Sequence, residues 1–586
     1  MAVPDGGKDC LKFWELGSRG DIGAWGHEYV RHLSAEIVAQ WPAADADSKL
    51  SSLLFELVRL IVPYHMHHNA EHEACDLLME IESLDLLAEY VDSSNCSRVC
   101  LYLTSCVPFA PPPENSALLR AAMKLYMQCK RPADALRCAL ALGGDIDTVK
   151  GIFNGAEAKA DQALRRQLAF MLARHQLFLV DGTLTEEDES DQELAEILSN
   201  SHLNAHFLAL ARELDILEPK LPEDIYKSHL IEGSSRGMPT GAPDSARQNL
   251  ASSFVNAFVN AGFGRDKLML GVPGTSGSNN ESTDGIVWLR KQKEQGQFST
   301  AASLGLLLLW DVAGGLTAID KYLYSNEDAI KGGALLACGV VNAGVRNDCD
   351  PALALLGDYT SHTNLSQRVG SLLGLGLAYA CSDRSDVLAA ILPTIRDNRA
   401  PMEAVAVAGL AAGLVGCGKM NGEVNEALLE ALMERPEAQL KEPQARLLAL
   451  GLGLLYLSCQ DAATACLDTI AAAVQEPNIR AFATTLVTMC AYVGTGNVLR
   501  VQQLMHEAAE SQQAIQDEKD EKKSKESSSK DGKEGSSGSR SGSDKSSKVT
   551  DSLYICYSSY FSILATTTNV WSARRCCFRS CRYCHG

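Results

Sequence analysis

A chain of 586 residues with 53 basic against 73 acidic side chains, a formal net charge of -20, lacks the cationic surplus that neutralises phosphates, so no nucleic-acid partner is expected. Hydrophobic residues make up 46% of the chain but aromatics only 6%, with Ala, Leu and Gly dominant, which favours closely packed helices over strands. The opening residues, MAVPDGGKDCLKFWELGS, hold no apolar run behind a basic start, and the Gly-rich uncharged stretch Ala404 to Gly418 spans fifteen residues, short of the about 20 that cross a bilayer; neither a secretory signal nor a membrane partner is expected.

Residues 1–232 read as a run of amphipathic helical hairpins. Asn115 to Leu142 predicts one such hairpin turning near Arg131-Pro132, with Leu118, Ala122, Leu125 and Tyr126 on one face. Arg166 to Leu179 and Leu203 to Leu214 carry the same pattern. Residues 233–295 add further helices broken by two stretches rich in Gly, Ser and Pro, near Gly233 to Asp244 and Val272 to Gly285, expected to be mobile loops.

Residues 296–512 contain a repeat. The segments SLGLLLLW, LLACGVVNAG, LLGLGLAYAC, GLAAGLVGCG, ALGLGLLYLS and VTMCAYVGTG align Gly305, Gly339, Gly376, Gly413, Gly453 and Ala491 in one column, at spacings of 34, 37, 37, 40 and 38 residues. Five residues after the column, copies two to six carry Gly344, Cys381, Gly418, Ser458 and Gly496, again small. Such a period holds two helices of about 14 residues and two turns. Gly inside a helix costs about 1 kcal/mol relative to Ala, so a column repeated through the array predicts close backbone approach between neighbouring inner helices. Each unit's second helix, such as Asp350 to Tyr359 or Gly422 to Glu434, is more polar and suits an outer ring. The fold class is therefore all-α, a curved α-solenoid of helical hairpins. Residues 513–550 include the charged run Gln516 to Lys548, expected to be disordered, and residues 551–586 form a basic, Cys-rich tail.

The glycine-anchored units resemble proteasome/cyclosome repeats. Long strings narrow the resemblance to the family of the largest non-ATPase subunit in the base of the proteasome regulatory particle: WGHEYVRHL (Trp25 to Leu33), HNAEHEACDLLMEIE (His68 to Glu82), LASSFVNAFVN (Leu250 to Asn260), LLWDVAGGLTAIDKYLYS (Leu308 to Ser325) and AYVGTGNVL (Ala491 to Leu499). The resemblance covers residues 8 to 512 and leaves the 551–586 tail unaligned. Because the family carries a further N-terminal segment and resumes its repeats after the charged linker, this chain is expected to be incomplete at both ends. The resemblance implies a non-catalytic scaffold that docks on the proteasomal ATPase ring, contacts a deubiquitinating enzyme and receives ubiquitin and the ubiquitin-like domains of shuttle factors, with no cofactor. A sister proteasome subunit or a coat adaptor is the rival within the same class.

One polar helix carries the candidate site. Along NGEVNEALLEALME (Asn421 to Glu434), Glu423, Glu430 and Glu434 fall within about 40° of each other at 100° per residue, opposite Leu428, Leu429 and Leu432. On the residues alone this is a solvated acidic face; the resemblance implies that the corresponding outer helix is the receptor for ubiquitin-like domains. Glu at all three positions gives the charges a longer reach than Asp would.

Two clusters invite metal readings. His65, His67, His68, His72 and Glu73 lie close in sequence, and His68 with His72, four apart, would share a helix face as zinc ligands can. The order is not HExxH and spacing implies no third ligand, so these read as surface and packing histidines; a metal hydrolase built on His65 to His72 is the enzyme rival. Cys576, Cys577, Cys581, Cys584 and His585 resemble a zinc knuckle without its second half and read as part of a disordered tail. No metal ligand is assigned. Fourteen of the nineteen cysteines are scattered singly over the first 490 residues, several in apolar contexts (Cys338, Cys381, Cys417, Cys490), a pattern of reduced thiols that fits cytoplasm and nucleus. No nucleophile–base pair or phosphate loop stands out, and strings such as GLGLG belong to the repeat column.

Overall fold

The computed structural model describes residues 9–17, 21–43, 49–177 apart from 112, 189–226, 245–270, 284–347, 349–507 and 509. The charged run, the Cys-rich tail and the two loop stretches through residue 283 lie outside them. Among the described residues the elements are α-helices and short 3-10 turns, with no β-strand. None of these helices is long and apolar enough to cross a membrane. Contacts divide the chain into two units, residues 1–198 and 199–586.

The first unit is built of helix pairs. The expected hairpin is present as Glu114–Gln128 and Pro132–Ala141, with Leu118, Ala122, Leu125 and Tyr126 buried. Its turn follows from local chemistry. Lys130 takes the left-handed conformation (φ 57°), and Pro132, which lacks an N–H, occupies the first helical turn where that donor would be unpaired. Leu57, Ile61, Leu78, Leu103, Leu136 and Phe153, all fully buried, knit successive pairs into one apolar core.

The second unit contains the array. Its inner helices are Glu294–Leu307, Asp328–Val341, Leu365–Ala378, Met402–Val415, Arg446–Leu455 and Pro477–Ala491. They are wrapped by outer helices, among them Val312–Leu323, Ser385–Arg396, Gly422–Glu434 and Thr464–Ala473. The second outer element, expected as Asp350 to Tyr359, is helical over that stretch but only its first half is α: helix Pro351–Leu356 tightens into a 3-10 turn, Gly357–Ser361. The central inner helices are buried nearly all round, and in Met402–Val415 only Glu403 is not buried, whereas the last, Pro477–Ala491, buries one face and exposes Phe482 and Met489.

The glycine column is where inner backbones touch. A Cβ on Gly305 would stand 2.8 Å from the Ala337 Cα, one on Gly376 2.7 Å from the Ala411 Cα, and one on Gly413 2.5 Å from the Gly451 Cα. A Cβ on Gly339 would run into the backbone of Gly374. The residues met, Ala337, Gly374, Ala411 and Gly451, form a second small column two positions before the first, which is why the third and fifth repeats read Gly-Leu-Gly. Packing loosens at the fifth unit, where Gly453 faces the Cys490 Sγ at 3.0 Å rather than backbone.

The second small position has a different cause. Gly344, Cys381, Gly418, Ser458 and Gly496 all take positive φ, between 58° and 77°, and turn the chain out of the inner helix. From this conformation the Cys381, Gly418 and Ser458 N–H groups donate to the Leu414, Leu454 and Cys490 carbonyls of the next inner helix, at 2.7, 2.9 and 2.9 Å. Carbonyls left over at one helix end are thus satisfied by the preceding repeat, a backbone clasp between neighbours.

Gly339→Ala and Gly413→Ala should each overpack this contact and lower stability by about 1–3 kcal/mol in urea or thermal unfolding. Gly357→Ala supplies the contrast: its φ of -54° suits Ala and nothing lies within 4 Å of the added Cβ, so a gain of about 0.4–1 kcal/mol is expected. Equal melting of all three variants would refute the backbone-contact account.

Candidate functional site

The acidic outer helix is fastened at both ends to the repeat before it. At its start, Asn421 is the N-cap: its Oδ1 accepts from the Glu423 and Val424 N–H groups at 3.1 and 3.4 Å, while its Nδ2 donates to Asp383 Oδ1 at 2.9 Å. Val424, Ala427, Leu428, Leu429, Ala431 and Leu432 are buried, as the spacing of the leucines required. Just past its end lies Arg435, 4% exposed, whose guanidinium donates to the Asp397, Ile395 and Ala400 carbonyls at 2.7, 3.3 and 3.4 Å. Those carbonyls belong to the end of the preceding outer helix, Ser385–Arg396, and the turn after it. Burial pushes the Arg435 guanidinium below its ordinary pKa, with the Asp397 charge opposing that shift.

Glu423 and Glu434 are exposed and Glu430 is half-buried; Glu426 is exposed beside them. At 1.5 Å per residue the stripe from Glu423 to Glu434 is roughly 16 Å long. Among the described residues, none of the three meets a Lys, Arg or His within ion-pair distance, whereas the nearby Glu437 holds Lys441 at 2.6 Å and Asp386 pairs with Arg384. What the helix offers is a fixed anionic stripe on a rigid apolar base, with no cation paired to its three glutamates among the described residues.

The histidine stretch differs from its sequence reading. His68 and His72 do not share a helix: Lys49–His67 ends, Asn69 turns through φ 56°, and a new helix starts at Glu71. His68 instead bonds the Tyr64 carbonyl through Nδ1 at 2.7 Å and stacks on the Tyr64 ring. The fold brings together His65, Glu73 and His27, the last from helix His27–Gln40, with their ligand-capable atoms within 4.8 Å of one another. His65 is fully buried, and that burial pushes its pKa down to about 4 against the pull of the Glu73 charge. His27 stands 38 residues before His65, so no local spacing signals the cluster. Arg435, an isolated cation next to an acidic helix, likewise has no motif to announce it.

Residues 1–231 match the family described as RPN1 N-terminal domain. Over 513 residues, 88% of its length, the chain is 41% identical to the 26S proteasome non-ATPase regulatory subunit 2 of Dictyostelium discoideum. It is 44% identical over 507 residues, 86% of its length, to the Arabidopsis thaliana 26S proteasome non-ATPase regulatory subunit 2 homolog A. A 26S proteasome regulatory subunit RPN1 from Encephalitozoon cuniculi is 23% identical over 87% of the chain and is matched over 58% of its own length. The chain spans about half the length of the first two, 54% and 55%.

The geometry separates residues that hold the acidic helix from residues that it displays. Arg435→Met should strand carbonyls on the preceding outer helix and lower stability by about 1–3 kcal/mol in urea unfolding. Glu423→Gln and Glu434→Gln should each stay within about 0.5 kcal/mol of the parent. A neutral Arg435→Met would remove the clamp from the argument.

Proposed function

The chain belongs to the family of the 26S proteasome non-ATPase regulatory subunit 2, and from that premise we propose that it is a non-catalytic scaffold and receptor whose fourth outer helix docks ubiquitin and the ubiquitin-like domains of shuttle factors. The observation that carries this reading is the stripe of Glu423, Glu430 and Glu434, held rigid from below and without cationic partners among the described residues. A ubiquitin-like surface bearing Lys and Arg complements it: opposite charge steers encounter and selects partners, with modest affinity because exposed pairs are weak. The same reading places the array on the proteasomal ATPase ring, in contact with a deubiquitinating enzyme, acting in ubiquitin-dependent protein degradation in cytoplasm and nucleus. Its chemistry is presentation: substrates bound through their tags are brought near enzymes that other chains supply.

The test is a titration of a labelled ubiquitin-like domain at two salt concentrations against the parent and a triple variant, Glu423→Ala, Glu430→Arg, Glu434→Arg. The variant should fold as the parent does, bind at least tenfold more weakly, about 1.4 kcal/mol, and respond less to salt. Unchanged affinity in the folded variant would return the helix to a solvated acidic face.

A further inference from the structure

The cluster at His27, His65 and Glu73 has no part in the receptor reading, and its geometry has a chemistry of its own. Glu73 Oε2 lies 3.2 Å from His65 Nδ1 and 3.4 Å from His27 Nε2. A tetrahedral zinc ion with bonds of about 2.0–2.1 Å to nitrogen and oxygen sets its ligand atoms about 3.3 Å apart, the spacing of both edges. Each ligand comes from a different helix: His27 from His27–Gln40, His65 from Lys49–His67 and Glu73 from Glu71–Glu80.

The polar atoms at the centre are otherwise unsatisfied. His65 Nδ1 and Glu73 Oε2 are buried, and despite their proximity neither completes a hydrogen bond among the described residues. Ser34 Oγ donates its proton to the Val30 carbonyl at 2.9 Å, so its lone pairs face His65 Nε2 at 3.5 Å. That arrangement assigns the His65 proton to Nε2 and leaves Nδ1 as a lone-pair donor aimed toward a carboxylate oxygen. Two acceptors this close repel unless a cation stands between them. The other carboxylate oxygen, Oε1, is engaged from outside by Arg31 Nε at 3.4 Å and His72 Nε2 at 3.9 Å, which orients Glu73 with Oε2 inward. The His27 side chain is 42% exposed, so an ion can reach the cluster from solvent and keep water as its fourth ligand.

We propose that His27 Nε2, His65 Nδ1 and Glu73 Oε2 form a divalent-cation site of the zinc class that ties three helices of the first unit together. This inference does not depend on the receptor reading. It also differs from the sequence-adjacent histidines, since His67 and His68 take no part.

The full chain, stripped with a chelator, is titrated with cobalt(II) and then zinc(II). Cobalt reports geometry through its visible d–d bands, and any bound thiolate adds a charge-transfer band, which separates this cluster from the cysteines of the tail. One equivalent of cobalt with tetrahedral d–d bands and no thiolate band is expected, displaced by zinc, with zinc raising the melting temperature. His27→Ala and Glu73→Gln should each weaken that binding at least tenfold and abolish the zinc-dependent melting shift. His27→Ala, at a half-exposed position, should melt like the stripped parent, so its loss of binding cannot be a loss of fold. Failure of the stripped chain to take up cobalt, uptake through thiolates alone, or unchanged binding in both variants would overturn the site.

Discussion

Backbone-to-backbone contact between inner helices is the constraint from which the array follows. At Gly339, Gly376 and Gly413 the neighbouring helix comes so near that a single methyl group would meet main chain, which cannot move aside as a side chain can. Each such glycine gives up about 1 kcal/mol of helix propensity, and the return is packing unobstructed by side chains along the full inner face. Because the contact is made by backbone, it fixes axial register as well as distance. That register then aligns the end of one inner helix with the turn of the repeat before it, where Cys381, Gly418 and Ser458 donate to the waiting carbonyls. The clasp is a consequence of the glycine contact; a shift of one residue along the axis would break it.

With the inner layer so fixed, the outer helices are left with modest demands. They need an apolar stripe, a cap and a tether, and Gly422–Glu434 has one of each: buried leucines, Asn421 and Arg435. The tether runs to carbonyls rather than to a carboxylate, so the helix is held without neutralising any acid on its surface. Exposed positions are then free of structural duty and open to recognition, and a rigid base removes the ordering cost that a mobile segment would bring to binding.

Sequence made the periodic features legible. The glycine column, the leucine stripe and the Asn115 to Leu142 hairpin are local in sequence, and each appears where its spacing placed it. The second small position was visible as a pattern, but its cause, a left-handed turn feeding a backbone hydrogen bond, was not, because Cys381 and Ser458 are not residues that advertise positive φ. Pattern reading was misled at His68 and His72: a four-residue spacing implies one helix face only if the helix continues, and Asn69 ends it. His27 and Arg435 were invisible for a general reason. The ligand atoms and carbonyls they meet lie 35 or more residues away, and only the fold turns such separations into contacts.

The charge order of the outer helix bears on why it exists in this form. The carbonyl end of a helix carries a partial negative charge, so Lys, Arg or His in the last turn is favourable and Glu there is unfavourable by about 0.3–1 kcal/mol. Gly422–Glu434 has no basic residue in its last turn and closes on Glu434, with Glu430 one turn before. The cation that follows it, Arg435, donates to the preceding helix and the turn after it instead of to this one. A helix shaped by stability alone would reverse these choices. The outer helix Ser385–Arg396 does: it opens with Asp386 in its first turn and closes on Arg396. An acidic C-terminal turn held against the dipole, beside a neighbour arranged the favourable way, leaves a charge that a cationic partner would offset under the receptor reading proposed above.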